Sequence, residues 1–249
     1  MNVKGVHGIV HKISVIVPTY CEADNLPSLA AGITDCFAAS GLAGNEIEIL
    51  VVDDDSPDGT KEVCRSLTDR YPAVRLITRV GERGLGTAVK RGIEESNGDV
   101  LVVMDADLSH DPAVIPRLVS EILDSGVDAA IASRFACGGR MHSSIRSTLG
   151  SMALNAFVSI LLHLPAKDVT GGFFALKEDA LQGLDLDAIC RGYGDYSFAL
   201  LYRGVKQGWK TTEVGFDYRP RRQGISKTRF LGAGLSYGIR AIRLRLGLG

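Results

Sequence analysis

The stretch DVLVVMDADLSHDP, residues 99–112, decides the fold. An unbroken apolar run, Val100 to Met104, ends in Asp105-Ala106-Asp107, and Pro112 then opens a helical pattern. Apolar runs without polar alternation belong to strands covered on both faces. The same order recurs upstream. ISVIV (13–17) runs into Pro18-Thr19-Tyr20-Cys21-Glu22 and a helix from about Leu26, with Pro27 in its first turn. IEILVV (47–52) runs into Asp53-Asp54-Asp55-Ser56-Pro57-Asp58 and a helix through Val63 and Leu67. VRLIT (74–78), a helix over about 86–96 and VDAAIA (127–132) extend the alternation. Strand–helix repetition of this kind predicts an α/β fold with a doubly wound, mostly parallel sheet. Beyond residue 135 the rhythm breaks, and the Gly- and Arg-rich stretch 135–148 reads as a loop.

In open α/β sheets ligands gather at the carboxyl ends of the strands, where these three polar segments lie. Asp-x-Asp at such an end suits one hard divalent cation, with substrate phosphates and water completing its shell. The competing reading is that Asp107 or Asp111 merely starts the next helix. Ser56 and Asp58 also fit helix capping, although one of Asp53, Asp54 and Asp55 is expected to face a ligand. A dinucleotide site fits poorly. The only glycine cluster, Gly81-Glu82-Arg83-Gly84-Leu85-Gly86-Thr87, completes neither G-x-G-x-x-G nor a Walker loop.

The chain has 249 residues, 45% hydrophobic and 23% charged, with a formal net charge of −1. These fractions set aside disorder, collagen and disulfide scaffolds, and the charge argues against a nucleic-acid binder. The average hides an asymmetry. Residues 201–249 hold eleven basic against two acidic side chains, so the first 200 hold 17 against 27. Five scattered cysteines, at 21, 36, 64, 137 and 190, show no Cys-x-x-Cys and suit a reducing compartment. His7, His11, His110, His142 and His163 show no metal spacing and read as surface or loop residues. The N-terminus lacks the apolar core of a secretory signal. The longest apolar stretch, Leu149–Leu164, has 16 residues and falls short of the roughly 20 that span a bilayer, so no transmembrane segment is expected.

Taken together and in order, VPTYCEADNL, VVDDDSPDGT, RGLGTAVKRGI, VVMDADLSHDP, ASRF…GG and RRQGISK resemble the family 2 glycosyltransferases, most closely the dolichyl-phosphate mannose synthase group. The resemblance runs from about Ile13 to Lys227. It implies a nucleotide-sugar fold, a GDP-mannose-like donor, Mg2+ or Mn2+, and a polyprenyl-phosphate acceptor. By position it implies that Pro18, Tyr20, Glu22, Val52 and Asp54 line the nucleotide pocket. Asp105, Ala106 and Asp107 would meet the donor diphosphate, and Asp105, Asp107 and Ser109 the metal. Arg134 matches a Ser-Arg pair, and Arg221 and Lys227 match Arg-x-x-Gly-x-Ser-Lys, a segment that closes over phosphates. Asp107, Arg134 and Arg221 are the residues it marks as catalytic.

Three departures stand out. Cys21 replaces a usual Asn, Phe174 replaces an expected Arg, and Tyr196 and Phe198 stand where Gln and Glu are usual. A phosphate monoester is largely dianionic at neutral pH, so the acceptor needs cations more than a base. Arg134, Arg146 and Lys227 are the expected acceptor-phosphate contacts. A one-step inverting transfer is expected.

The resemblance divides the chain into a catalytic domain over 1–228 and a basic amphipathic helix over 229–249. In that helix Leu231, Leu235, Ile239 and Ile242 share a stripe beside Arg240, Arg243 and Arg245. Such a helix points to an anionic membrane surface, and a membrane-anchoring partner subunit is a further expectation. The expected location is peripheral, on the cytoplasmic face of a membrane. The Leu149–Leu164 helix reads either as an ordinary buried helix or as a surface for membrane or acceptor chain. The rivals are a sibling enzyme using UDP-glucose or another sugar, and a non-catalytic nucleotide-sugar-binding subunit.

Overall fold

The computed structural model describes residues 10–219 and 230–248, the side chains of 230–233 excepted. The predicted alternation is present as β1 (Lys12–Thr19), α1 (Leu26–Ala39), β2 (Glu46–Asp53), α2 (Thr60–Arg70), β3 (Val74–Thr78), α3 (Leu85–Glu95), β4 (Val100–Val103), α4 (Ile115–Asp124) and β5 (Ala129–Ser133). The irregular half adds β6 (Arg140–Met141), α5 (Ile145–Leu162), β7 (Phe174–Lys177), α6 (Leu186–Ile189), α7 (Tyr196–Lys206), β8 (Thr211–Gly215), β9 (Asp217–Tyr218) and α8 (Phe230–Arg245). The main sheet has seven strands in the order β3-β2-β1-β4-β7-β5-β8, and β6 pairs with β9 in a small second sheet.

Every main-sheet pairing is parallel except those of β7, which runs antiparallel to both β4 and β5. The strand order turns around β1 and β4, a switch point of the kind that opens a crevice at the strand ends. Being antiparallel, β7 begins where its neighbours end: Phe174 pairs with Val103 and Ile131. Its leading loop, residues 168–172, is thereby delivered to the same edge of the sheet as Asp105.

The apolar strands explain the two cores. On one face α1, α2 and α4 pack through stripes such as Leu26, Leu29, Ile33 and Phe37. On the other, α3, α5, α7 and α8 pack against Ile16, Leu50, Leu101 and Val103. Each fully buried side chain of this size contributes roughly 1.5–3 kcal/mol before entropy is counted. Gly92 sets how closely α3 sits on the sheet, since a Cβ there would stand 2.3 Å from Ile16 Cγ2.

Helix α5 departs from the ordinary buried helix. Its inward face carries Ser151, Asn155, Val158 and Leu162, while Leu149, Met152, Phe157 and Ile160 are exposed. Polar groups point inward because they satisfy backbone. Asn155 Oδ1 accepts from the amides of Val169 and Thr170, and its Nδ2 donates to Ser151 O and Thr170 Oγ1. At 18 residues it is two residues longer than the apolar stretch, and long and apolar enough to cross a membrane by length and composition alone. One face nevertheless packs on the body of the protein. Helix α8 lies against α5 with Ala241 and Leu244 buried, and Leu235, Ile239 and Ile242 exposed along the predicted stripe.

Candidate active site

A cavity of about 670 Å3 opens at the switch point, between the ends of β1 and β4, the 168–172 loop, α5 and α8. Pro18, Tyr20, Glu22, Asp54, Asp105, Ala106, Asp107 and Arg134 all line it, so the structure brings together eight of the expected residues. Val52 and Ser109 do not line it. Val52 is fully buried in the core, and its carbonyl accepts the Thr19 hydroxyl. Arg221 and Lys227 lie outside the described residues.

The three consecutive aspartates after β2 take different tasks. Asp53 is fully buried and accepts from the amide and hydroxyl of Ser56, at 3.0 and 2.5 Å, which folds the turn. Asp55 adopts φ +54° and pairs with Lys61 at 2.6 Å. Asp54 is the one on the cavity wall, but it does not wait there alone. Arg79 Nε and Nη2 reach its Oδ1 at 2.7 and 2.5 Å, and the Gly84 amide reaches Oδ2 at 2.8 Å. This buried pair ties the Gly84 turn, where φ is +147°, to the end of β2. Beside it Arg83 stacks over the Tyr20 ring at 4.5 Å, so a guanidinium and a phenol wall this end of the cavity. The capping expectation is corrected: Gly59 is the N-cap of α2 and no side chain caps it. Asp58 instead accepts from Thr60 and Ala23, and Ser56 Oγ from the Cys21 amide, bonds that tie this turn to the end of β1.

Asp105 and Asp107 stand at the end of β4 with Ala106 between them. The helix-start role falls instead to Asp111, whose carboxylate accepts the Ala113 amide at 3.0 Å. Ser109 is 1% exposed and lies behind the pair, donating its amide to Asp107 Oδ1 at 3.0 Å. Ser109, expected as a metal neighbour, lies off the cavity wall and braces Asp107 by its backbone. Two carboxylates facing one polar cavity, with space for phosphate oxygens and water, are the donor set that Mg2+ or Mn2+ takes.

Across the cavity, Arg134 is held by a residue that sequence reasoning missed. Asp168, fully buried, receives the Arg134 amide at 2.8 Å, Nε at 2.7 Å and Nη2 at 2.7 Å. Burial works against the charged guanidinium, but Asp168 outweighs it and holds Arg134 above its ordinary pKa. The charge is therefore permanent, and its planar fork is fixed in place. Arg146, by contrast, sits exposed in the first turn of α5 and is not on the cavity wall, although Ser143 and Ser147 beside it are.

His110 corrects the expectation of a surface or loop histidine. It is 1% exposed, lines the cavity and stacks on Phe173 at 4.8 Å. Tyrosines 193, 196, 218 and 237 complete the wall. Burial first, then the charge of Asp107, pushes the Tyr218 phenol above its usual pKa, so it stays protonated and able to donate. Of the family departures only Tyr196 reaches the cavity. Phe198 is fully buried against Tyr237 at 5.7 Å, and Phe174 packs 6.5 Å from Tyr196, so an aromatic cluster stands where Arg, Gln and Glu were expected. Aspartates and a lone DVTGG turn were the only signals that could have pointed to Asp168. Arg79 and His110 carried none that distinguished them from other Arg and His residues.

Comparison with known proteins agrees with this geometry. Residues 14–184 match the model of Glycosyl transferase family 2. The chain is 40% identical over 229 residues to a dolichol-phosphate mannosyltransferase of Pyrococcus furiosus, covering 88% of this chain and 59% of that one. It is 34% identical over 219 residues to a polyprenol monophosphomannose synthase of Mycolicibacterium smegmatis, covering 86% and 79%. The chain thus spans less than two thirds of the length of the Pyrococcus relative. Among solved structures, glucosyl-3-phosphoglycerate synthase of Mycobacterium tuberculosis in complex with Mg2+ and UDP shares the fold. Its TM-score is 0.70 at 20% identity, covering 96% of this chain and 80% of that one. A strand-end aspartate pair on a switch-point cavity, a family match over most of the chain and relatives at this identity lead to one conclusion: the chain belongs to glycosyl transferase family 2.

Proposed function

We propose that this protein transfers mannose from GDP-mannose to a polyprenyl phosphate at a membrane surface, using a divalent metal. One observation carries the reading: Asp105, Asp107 and the Asp168-anchored Arg134 converge on a single cavity at the switch point. The names of the two curated relatives support mannose and a prenyl phosphate as substrates.

Asp105 and Asp107 would hold Mg2+ or Mn2+, which as a Lewis acid neutralises charge gathering on the leaving diphosphate. The protein's own residues do the rest. Tyr20 and Arg83 wall the base end, and the Arg79–Asp54 pair keeps the Gly84 turn in place beneath it. Arg134, fixed by Asp168, supplies a permanent positive charge for the acceptor phosphate. The family resemblance assigns Arg221 and Lys227, which lie outside the described residues, as further phosphate contacts. An acceptor phosphate oxygen forms the new bond to the anomeric carbon as the bond to the diphosphate breaks, and the diphosphate leaves with the electron pair. Attack from the opposite face inverts the anomeric centre. The dianionic phosphate needs no base to deprotonate it.

The exposed apolar faces of α5 and α8 form the membrane-facing side. Leu149, Met152, Phe157 and Ile160 on α5 adjoin Leu235, Ile239 and Ile242 on α8, with Arg146, Arg243 and Arg245 exposed on the same helices. Apolar side chains beside exposed arginines suit anionic headgroups over acyl chains. Leu154, Gly234 and Tyr237 line the cavity from these two helices, so the acceptor phosphate reaches Arg134 while its prenyl chain stays in the apolar layer.

Thermal-shift screening of GDP- and UDP-sugars with Mn2+ tests the donor. Stabilisation by GDP-mannose is the expected outcome, and stabilisation by UDP-sugars alone rejects mannose from GDP-mannose.

A further inference from the structure

We infer that His110 is a positioning residue that fixes Asp105 for metal binding. The inference rests on the divalent-metal reading of the Asp105/Asp107 pair and goes beyond it, because it assigns a task to a side chain that is not itself a ligand. The Asp105 amide donates to His110 Nδ1 at 3.0 Å. An imidazole nitrogen that accepts carries no proton, so this hydrogen bond assigns the neutral ring's proton to Nε2. That nitrogen stands 3.9 Å from Asp105 Oδ2. That separation is beyond hydrogen-bond reach, so the ring holds Asp105 through its backbone amide, which fixes where the carboxylate starts from.

The ring cannot turn away to other work. It stacks on Phe173 with 16° between the planes and meets Phe216 and Tyr218 edge-on at 5.9 and 6.3 Å. Asp105 follows the last residues of β4, where the sheet no longer supplies hydrogen bonds, and its amide is satisfied by this histidine. Asp107 is braced separately by the Ser109 amide. Among the described contacts, a side chain thus holds the backbone of Asp105 while a backbone amide holds the carboxylate of Asp107. The competing explanation is a histidine that merely fills the aromatic cluster.

Two variants separate these roles because they keep opposite halves of the ring's function. His110→Phe keeps the stack on Phe173 but removes both nitrogens. His110→Asn loses the stack but can place its Oδ1 where Nδ1 accepted. Mn2+ affinity is read by electron paramagnetic resonance with saturating GDP, or UDP if GDP fails, and Tm is measured alongside. Positioning predicts that His110→Phe weakens Mn2+ binding about tenfold or more at near wild-type Tm. It also predicts that His110→Asn stays within about threefold of wild-type affinity despite a lower Tm. Wild-type Mn2+ affinity in His110→Phe, or weaker binding in His110→Asn than in His110→Phe, overturns the inference while the metal reading stands. A wild-type protein that binds no Mn2+ with either nucleotide rejects the metal site and this inference together.

Discussion

Arg134 and Asp168 form a buried two-pronged ion pair, Nε to Oδ2 and Nη2 to Oδ1, each at 2.7 Å, closed by the Arg134 amide at 2.8 Å. The pair joins the end of β5 to the loop that enters β7, and its guanidinium faces the cavity. Removing one partner strands a buried charge. Asp168→Ala is expected to cost about 3–5 kcal/mol of stability, read from urea unfolding. The double variant Arg134→Met/Asp168→Ala should recover much of that loss, because the stranded charge is gone, yet remain inactive in transfer. Activity in the double variant would remove Arg134 from the phosphate site.

Cys21 sits in the left-handed region at φ +59°, between Tyr20 and Glu22 of the cavity wall. Asn tolerates this conformation better than Cys, which gives a physical reason for the Asn that the family usually carries there. Cys21→Asn should raise stability by about 0.5–1 kcal/mol and leave KM for the donor within about twofold. A drop in Tm would show that the thiol makes a compensating contact.

Glu48 contributes acid sensitivity to the stability. Burial raises its pKa, but hydrogen bonds from Ser14 at 2.5 Å and from the amide and side chain of Asn97 outweigh burial and hold it below 4.5. A carboxyl depressed in the folded state contributes stability above its unfolded pKa, and loses it as pH falls through the folded value. Glu48→Gln should therefore be less stable than the wild type at pH 7 by about 1–2 kcal/mol, with the gap closing below about pH 4.5. A gap that is constant with pH, measured by urea midpoints, would contradict this.

Ile160 and Leu235 are 76% and 69% exposed on α5 and α8. Ile160→Glu/Leu235→Glu should leave Tm unchanged and weaken flotation with vesicles containing about 30% anionic lipid by roughly tenfold or more. Transfer to a short, water-soluble prenyl phosphate should persist. Undiminished vesicle binding would place the membrane contact elsewhere.

The parallel core and its acidic strand ends were legible because each rests on contiguous sequence: an apolar run, then a polar turn. Asp105 and Asp107 could be placed at the strand-end cavity for that reason. The antiparallel β7 was not legible, since Phe174-Ala175-Leu176-Lys177 carries no mark of direction and its pairing is set by neighbours far away in the chain. The partners that hold the site were hidden for the same reason. Asp168 lies 34 residues from Arg134 and Arg79 lies 25 from Asp54, so no local pattern joins them. α5 misled because inward polar residues answer to the amides of Val169 and Thr170, a demand that periodicity cannot display.

The most direct test of the account is transfer from radiolabelled GDP-mannose to a short polyprenyl phosphate with Mn2+, comparing wild type with Asp107→Asn. The account predicts a mannosyl phosphoprenol of inverted anomeric configuration, formed by the wild type, abolished by chelation and lost by at least about a hundredfold in Asp107→Asn. Undiminished transfer by Asp107→Asn, or a product with retained configuration, would contradict it.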